Sequence, residues 1–233
     1  EPRFEEAVGV IVKAFTSRER FSHQGRFWQF DDIVVEPPPM QKPHPPLWVA
    51  AGSEASIRKA AQRGFNLILD QYASPSQIGE RIALYRAELQ AQGMTFGPGR
   101  VAVARQLYVA KDKADTEEAL KRAAQYTQRT VDVSRAPGGG RGSHVLSYAD
   151  GAGGTEANAL YGTPEFTAHG PPISYELCRK LAELRRAGAE YFLLTAVTGG
   201  REQLRRFARD VMPAFAGREA HAGGATASET TLA

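Results

Sequence analysis

The chain is poor in the features that mark several large protein classes. It contains a single cysteine, Cys178, which excludes an intrachain disulfide and cysteine-rich zinc sites. No apolar run approaches the roughly 18 residues that a membrane-spanning helix needs, and no signal peptide opens the sequence. Basic and acidic residues nearly balance, 29 against 26, for a formal charge of +3. Lysine and arginine occur in short pairs such as Arg185-Arg186 and Arg205-Arg206 rather than as a stripe, which argues against a nucleic-acid partner. The five histidines show no metal-ligand spacing. No Gly-x-Gly-x-x-Gly fingerprint follows a strand, so no nicotinamide site is expected. What remains is the composition of an ordinary soluble globular protein, 42% hydrophobic and 24% charged, and a cytoplasmic location is expected. A length of 233 residues suits one α/β domain. The chain opens on Glu1 rather than Met, and its true start is expected to lie upstream.

Along the chain, Phe4, Ala7, Val8, Ile11 and Phe15 recur at helical spacing and predict an amphipathic helix. Segments 26–30 and 33–35 read as a small antiparallel hairpin, with Gly25 and Asp31-Asp32 as turn signals. The prolines between Pro37 and Pro46 read as a stiff, extended connector, with a proline-rich ligand segment as the other reading. Buried strands are then predicted at 47–51, 65–70, 101–109 and 190–195, each followed by a helix. The third is expected to alternate in character, with Arg105 inside it. The clearest helix starts at Ser74-Pro75 and places Ile78, Ile82, Tyr85 and Leu89 on one face. The final helix is expected to turn Leu204, Phe207, Ala208, Val211 and Phe215 inward. The polar, glycine-rich interval 134–169 reads as a lid or as an unstructured insertion, and residues 217–233 as a disordered tail. Strand–helix alternation predicts a parallel sheet with helices outside, either half of a barrel or a doubly wound sheet.

The run Leu47-Trp48-Val49-Ala50-Ala51-Gly52-Ser53-Glu54-Ala55-Ser56 is the most informative stretch. An apolar strand meets a glycine corner, and Ser53 is a natural N-cap for the helix that follows. A helix start offers unpaired N–H groups and partial positive charge, so Gly52, Ser53 and Ser56 form a candidate phosphate site.

Taken in order, several segments resemble the luciferase-like flavin-dependent monooxygenases. They are residues 21–28, the 37–53 run, Ala60-Ala61-Gln62-Arg63-Gly64, 161–165, 187–194 and 207–213. The resemblance covers roughly residues 3 to 215. It implies a (β/α)8 TIM barrel, of which residues 1–216 would be the C-terminal half with about four strand–helix units and an inserted hairpin. It also implies reduced FMN with O2 acting on a small organic substrate, or the deazaflavin coenzyme F420 in one branch, with Gly52, Ser53 and Ser56 at the cofactor phosphate. A separate flavin reductase would be a partner, and a homo- or hetero-oligomer is expected. The catalytic base is expected in a half-barrel preceding this chain. A non-catalytic flavin-binding or accessory subunit and an unrelated phosphate-binding α/β protein are the competing readings.

Single residues add less. His23 and His44 are expected to be structural or exposed, and His144 and His169 fall in the glycine-rich interval. Cys178 and Trp48 are expected to pack in the core, and Trp28 within the hairpin. Arg105 is a candidate counter-charge for phosphate.

Overall fold

A computed structural model describes residues 1–135, 160–162, 175–195 and 200–216. The intervals 136–159, 163–174 and 196–199 and the tail 217–233 lie outside the described residues, and with them His144, His169, the lid and the disordered-tail expectations. The chain forms two compact units, Glu1–Trp48 and Val49–Ala233.

The first unit holds helix α1 (Pro2–Thr16) and an antiparallel hairpin, β1 (Phe21–Gln24) and β2 (Gln29–Ile33). No residue of α1 is buried, so its apolar stripe stays largely at the surface of this unit. The hairpin is present, but its strands lie earlier than expected. Gly25 N donates to Trp28 O at 2.9 Å, so of the two turn signals it is Gly25, not Asp31-Asp32, that marks the turn. The cause is Glu6, whose carboxylate accepts from the amides of Phe27 and Trp28 at 3.1 and 2.8 Å. A Cβ on Gly25 would collide with that carboxylate. Asp31 and Asp32 instead stay on β2, where they take hydrogen bonds from Gln24 and Arg20 at 2.8 and 2.7 Å.

The second unit is built on a five-stranded sheet. Its strands are β3 (Trp48–Ala50), β4 (Asn66–Leu69), β5 (Val101–Val109), β6 (Leu160–Gly162) and β7 (Tyr191–Thr195). Between and after them come α2 (Glu54–Gln62), α3 (Pro75–Ala91), α4 (Lys113–Arg135), α5 (Tyr175–Arg186), α6 (Gly200–Asp210) and the single turn α7 (Pro213–Ala216). The order β3-β4-β5 continues to β7, which pairs with residues 102–106 of β5. The last residues of β5, 107–109, also pair with β6. The pairings of β5 with β4, β6 and β7 are all parallel. Apart from the three-residue β6, neighbours follow chain order with a helix between each, as in the run of a barrel wall; a doubly wound sheet reverses its order at a switch point.

Burial follows from that order. The strand β5 has neighbours on both sides and is buried almost throughout, so the expected alternation is absent. Among the described residues β3 and β7 each pair with one neighbour, and both are only partly covered. Trp48 is accordingly 37% exposed, not core. The strand β6 arises inside the interval read as loop, because three residues are recruited by the end of β5 rather than by a pattern of their own.

The core lies on the helix-covered side of the sheet. Ile57, Ala60 and Ala61 of α2 meet Leu67, Leu69, Val101, Val103 and the α3 face Ile78, Ile82, Tyr85 and Leu89. Each fully buried aliphatic side chain there contributes about 1.5–3 kcal/mol. Ser74 and Gln77 close a capping box at the start of α3. Cys178 packs beside Leu107, Val109, Leu177 and Leu181, and burial pushes its thiol pKa up, which suits packing. The last helix keeps part of its expected face: Val211 is buried and Phe207 and Phe215 pack against the same cluster. Leu204 is 51% exposed and Ala208 is exposed, however, while Gln203 and Asp210 are buried.

Candidate functional site

The parallel strands β4, β5 and β7 end on one rim, where barrel active sites are built. The residues that follow β3 and β4 meet there. After β3, the Ala51 amide donates to Ile68 O at 3.2 Å, and the chain turns at Gly52 into α2. Ser53 is the N-cap, with φ −84° and ψ 151°. Its Oγ accepts from Ser56 N at 3.3 Å, and its carbonyl accepts from Ser56 Oγ and from Ile57 N, both at 3.0 Å. The two hydroxyls also touch each other. This leaves the amides of Glu54 and Ala55 with no acceptor among the described residues, as a helix start does. Ser53 is exposed and Gly52 half-buried, so no side chain fills the corner.

The carboxylate of Glu54 would oppose an anion at this helix start. Arg58 holds it from one turn further on at 2.7 Å and also binds Glu88 on α3. Behind Gly52 lies Asp70, the residue that follows β4. Its Oδ1 accepts from the amides of Tyr72 and Ala73 at 2.8 and 2.9 Å, and its Oδ2 from Arg81 Nη1 at 2.8 Å. A Cβ built on Gly52 would stand 3.4 Å from Asp70 Oδ2, so any larger residue would occupy the space between the corner and this pair. A phosphate needs N–H donors, hydroxyls, close backbone approach and no uncompensated carboxylate. The corner meets each condition.

The three sequence-derived site residues, Gly52, Ser53 and Ser56, are therefore brought together. Arg105 is not available to join them. It is 1% exposed, and its guanidinium donates to the carbonyls of Asp70, Ala73 and Ala104 at 2.7–2.9 Å. Those bonds lock the turn after β4, so its role is structural. Asp70 and Arg81 were missed by sequence reasoning. Asp70 sits at a strand end, which is a signal, but nothing local ties it to a residue in the second turn of the next helix.

The remaining candidates lie elsewhere. His23 Nε2 is 3.3 Å from Glu6 in the hairpin unit, and His44 Nδ1 is 2.7 Å from Pro45 O. Trp28 stacks on Phe30 at 6.4 Å with Arg3 over its ring. A largely apolar cavity of about 420 Å³ is lined by Leu181, Phe192, Leu194, Phe207, Met212 and Phe215. It runs along β7 from Ala189 and Glu190, which precede the strand, and none of Gly52, Ser53 and Ser56 lines it. Among the described residues no cluster of His, Cys, Asp and Glu could hold a metal, and no helix is long and apolar enough to cross a membrane.

The family model described as luciferase-like monooxygenase matches residues 1–191. The FMNH(2)-dependent dimethylsulfone monooxygenase of Pseudomonas putida is 24% identical over 221 residues, 91% of this chain and 57% of that protein. The oxygenase component of the flavin-dependent trigonelline monooxygenase of Acinetobacter baylyi is 45% identical over 47 residues, 20% of this chain and 13% of that protein. The monooxygenase RslO1 of Streptomyces bottropensis superposes with a TM-score of 0.65 at 21% identity, over 92% of this chain and 61% of that one. The coenzyme F420-dependent tetrahydromethanopterin reductase of Methanopyrus kandleri gives 0.59 at 14% identity, over 91% and 62%. The chain thus spans less than two thirds of the length of each.

Proposed function

Because this chain belongs to the luciferase-like monooxygenase family, we propose that it contributes the phosphate-binding side of a reduced-FMN site to an enzyme that oxygenates a small organic molecule with O2. The observation that carries this reading is the open corner of Gly52, Ser53 and Ser56 on the strand-end rim. Bound reduced FMN would supply the electron pair with which O2 delivers one atom to substrate and the other to water. The chain's own residues do simpler work. Helix amides and the Ser53 and Ser56 hydroxyls bind the phosphate, Gly52 lets it approach, and Arg58 keeps Glu54 from repelling it. The relative named as an oxygenase component favours a separate reductase as the source of reduced flavin. The single-neighbour strands β3 and β7 favour assembly with a further subunit or segment, homo- or hetero-oligomeric.

The test is a titration with FMN followed by flavin fluorescence. Ser53→Glu places a carboxylate at the phosphate and should weaken FMN binding by about tenfold or more. Unchanged affinity would remove the assignment. Preferential binding of F420 over FMN would move the protein to the deazaflavin branch with the same corner in use.

A further inference from the structure

Gly52 faces an ion pair. The position of a Cβ on Gly52 lies 3.4 Å from Asp70 Oδ2 and 3.9 Å from both Arg81 Cζ and Arg81 Nη1. Arg81 belongs to α3, and its side chain is largely buried, 16% exposed. It is held in place by Asp70, whose other oxygen is bound by the amides of Tyr72 and Ala73. The turn after β4 and the guanidinium are therefore one rigid piece. Arg105 buttresses the same turn by donating to the backbone carbonyls of Asp70 and Ala73. Of the other cations near the corner, Arg58 is engaged by Glu54 and Glu88.

We propose that Arg81 is the side-chain cation that meets the cofactor phosphate at the Gly52–Ser53 corner, with Asp70 as its positioning residue. This rests on the phosphate-corner reading and adds to it a charge brought from the next strand–helix unit. A planar guanidinium can bridge a carboxylate and a phosphate at once, which a lysine ammonium does less well. Gly52 is then required for a reason beyond the chain turn. A side chain there would stand between Arg81 and the ligand.

The experiment compares FMN with riboflavin, which has the same ring system and no phosphate, by fluorescence titration of the protein and its variants. The natural protein should prefer FMN, and the preference should shrink as salt is raised. Arg81→Gln should reduce FMN affinity about 10- to 100-fold and leave riboflavin affinity unchanged. Arg81→Lys, which keeps the charge beside Asp70, should fall between. Four outcomes are decisive. If Arg81→Gln keeps the natural FMN-to-riboflavin ratio while Ser53→Glu loses it, the corner stands and Arg81 has no part in it. An equal loss of FMN and riboflavin binding in Arg81→Gln makes the residue a scaffold element and overturns the proposal. Should Arg81→Gln not fold, Arg81→Lys decides, and a natural ratio in that variant counts against a bridging guanidinium. If the natural protein shows no preference for FMN, the phosphate-corner reading itself falls.

Discussion

Gln203 Oε1 accepts the hydrogen of the Val109 amide at 2.6 Å, tying the first turns of α6 to the end of the central strand. Both residues are buried, Gln203 at 3% exposure. This bond explains why α6 turns Gln203 inward and leaves Leu204 outside. A strand amide at the end of a ladder needs an acceptor, and leaving it dry and unpaired costs more than exposing one leucine. Gln203→Leu should therefore destabilise the protein by about 1–3 kcal/mol, despite being more apolar. Urea denaturation would show it, and an unchanged midpoint would mean the amide finds another partner.

Arg105 makes the contrasting case, a charged group whose work is architectural. Arg105→Met removes the donor that satisfies the Asp70 and Ala73 carbonyls. A loss of about 2–5 kcal/mol is expected. At low temperature, where the variant remains folded, its FMN-to-riboflavin preference should match that of the natural protein. A selective loss of FMN binding would mean that Arg105 also acts at the phosphate, directly or through the turn that carries Asp70.

Glu6 gives the hairpin unit a dependence on pH. Burial opposes its ionisation, but the amides of Trp28 and Phe27 and the contact with His23 outweigh that and hold its pKa below the ordinary 4.5. A carboxyl with a depressed native pKa stabilises the folded form above its unfolded value and stops doing so as pH falls through the native one. Trp28 emission, read in a Trp48→Phe background, should thus report loosening of the turn only below about pH 4.5. Glu6→Gln should show the loosened signal at neutral pH. Gly25→Ala should do the same, since its methyl group would meet the Glu6 carboxylate.

Tyr85 sets a limit at the alkaline end. Its hydroxyl donates to Phe65 O at 2.7 Å, and burial raises its pKa above 10 despite the opposing effect of Arg100. The unfolded chain loses that proton first, so stability falls as pH rises beyond 10. Tyr85→Phe should cost about 1 kcal/mol at neutral pH and reduce this alkaline decline. Denaturation midpoints at neutral and alkaline pH would check both.

Helix α3 was fully legible in the sequence. Ser74, Pro75 and the periodic Ile78, Ile82, Tyr85 and Leu89 are local signals, and local signals survive because capping and helical periodicity act within a few residues. The hairpin was legible as an element but not in its register. Its turn is chosen by Glu6, roughly twenty residues upstream, while the Asp31-Asp32 pair looks equally turn-like. The strand β6 carries too few residues to show a pattern at all.

The candidate site divides in the same way. Strand, glycine and N-cap serine are contiguous, so the order of Trp48 to Ser56 already implied a helix start able to face an anion. The sequence also determined the strand–helix alternation, and with it a parallel sheet. Only the tertiary structure decided that the alternation runs in barrel order, that Trp48 lies at the surface and that Arg105 is consumed by carbonyls. It alone set Arg81 opposite Gly52. The physical reason is range: caps and periodicities are short-range and written in neighbouring residues, whereas a guanidinium's partner depends on which strand ends the sheet brings to one rim.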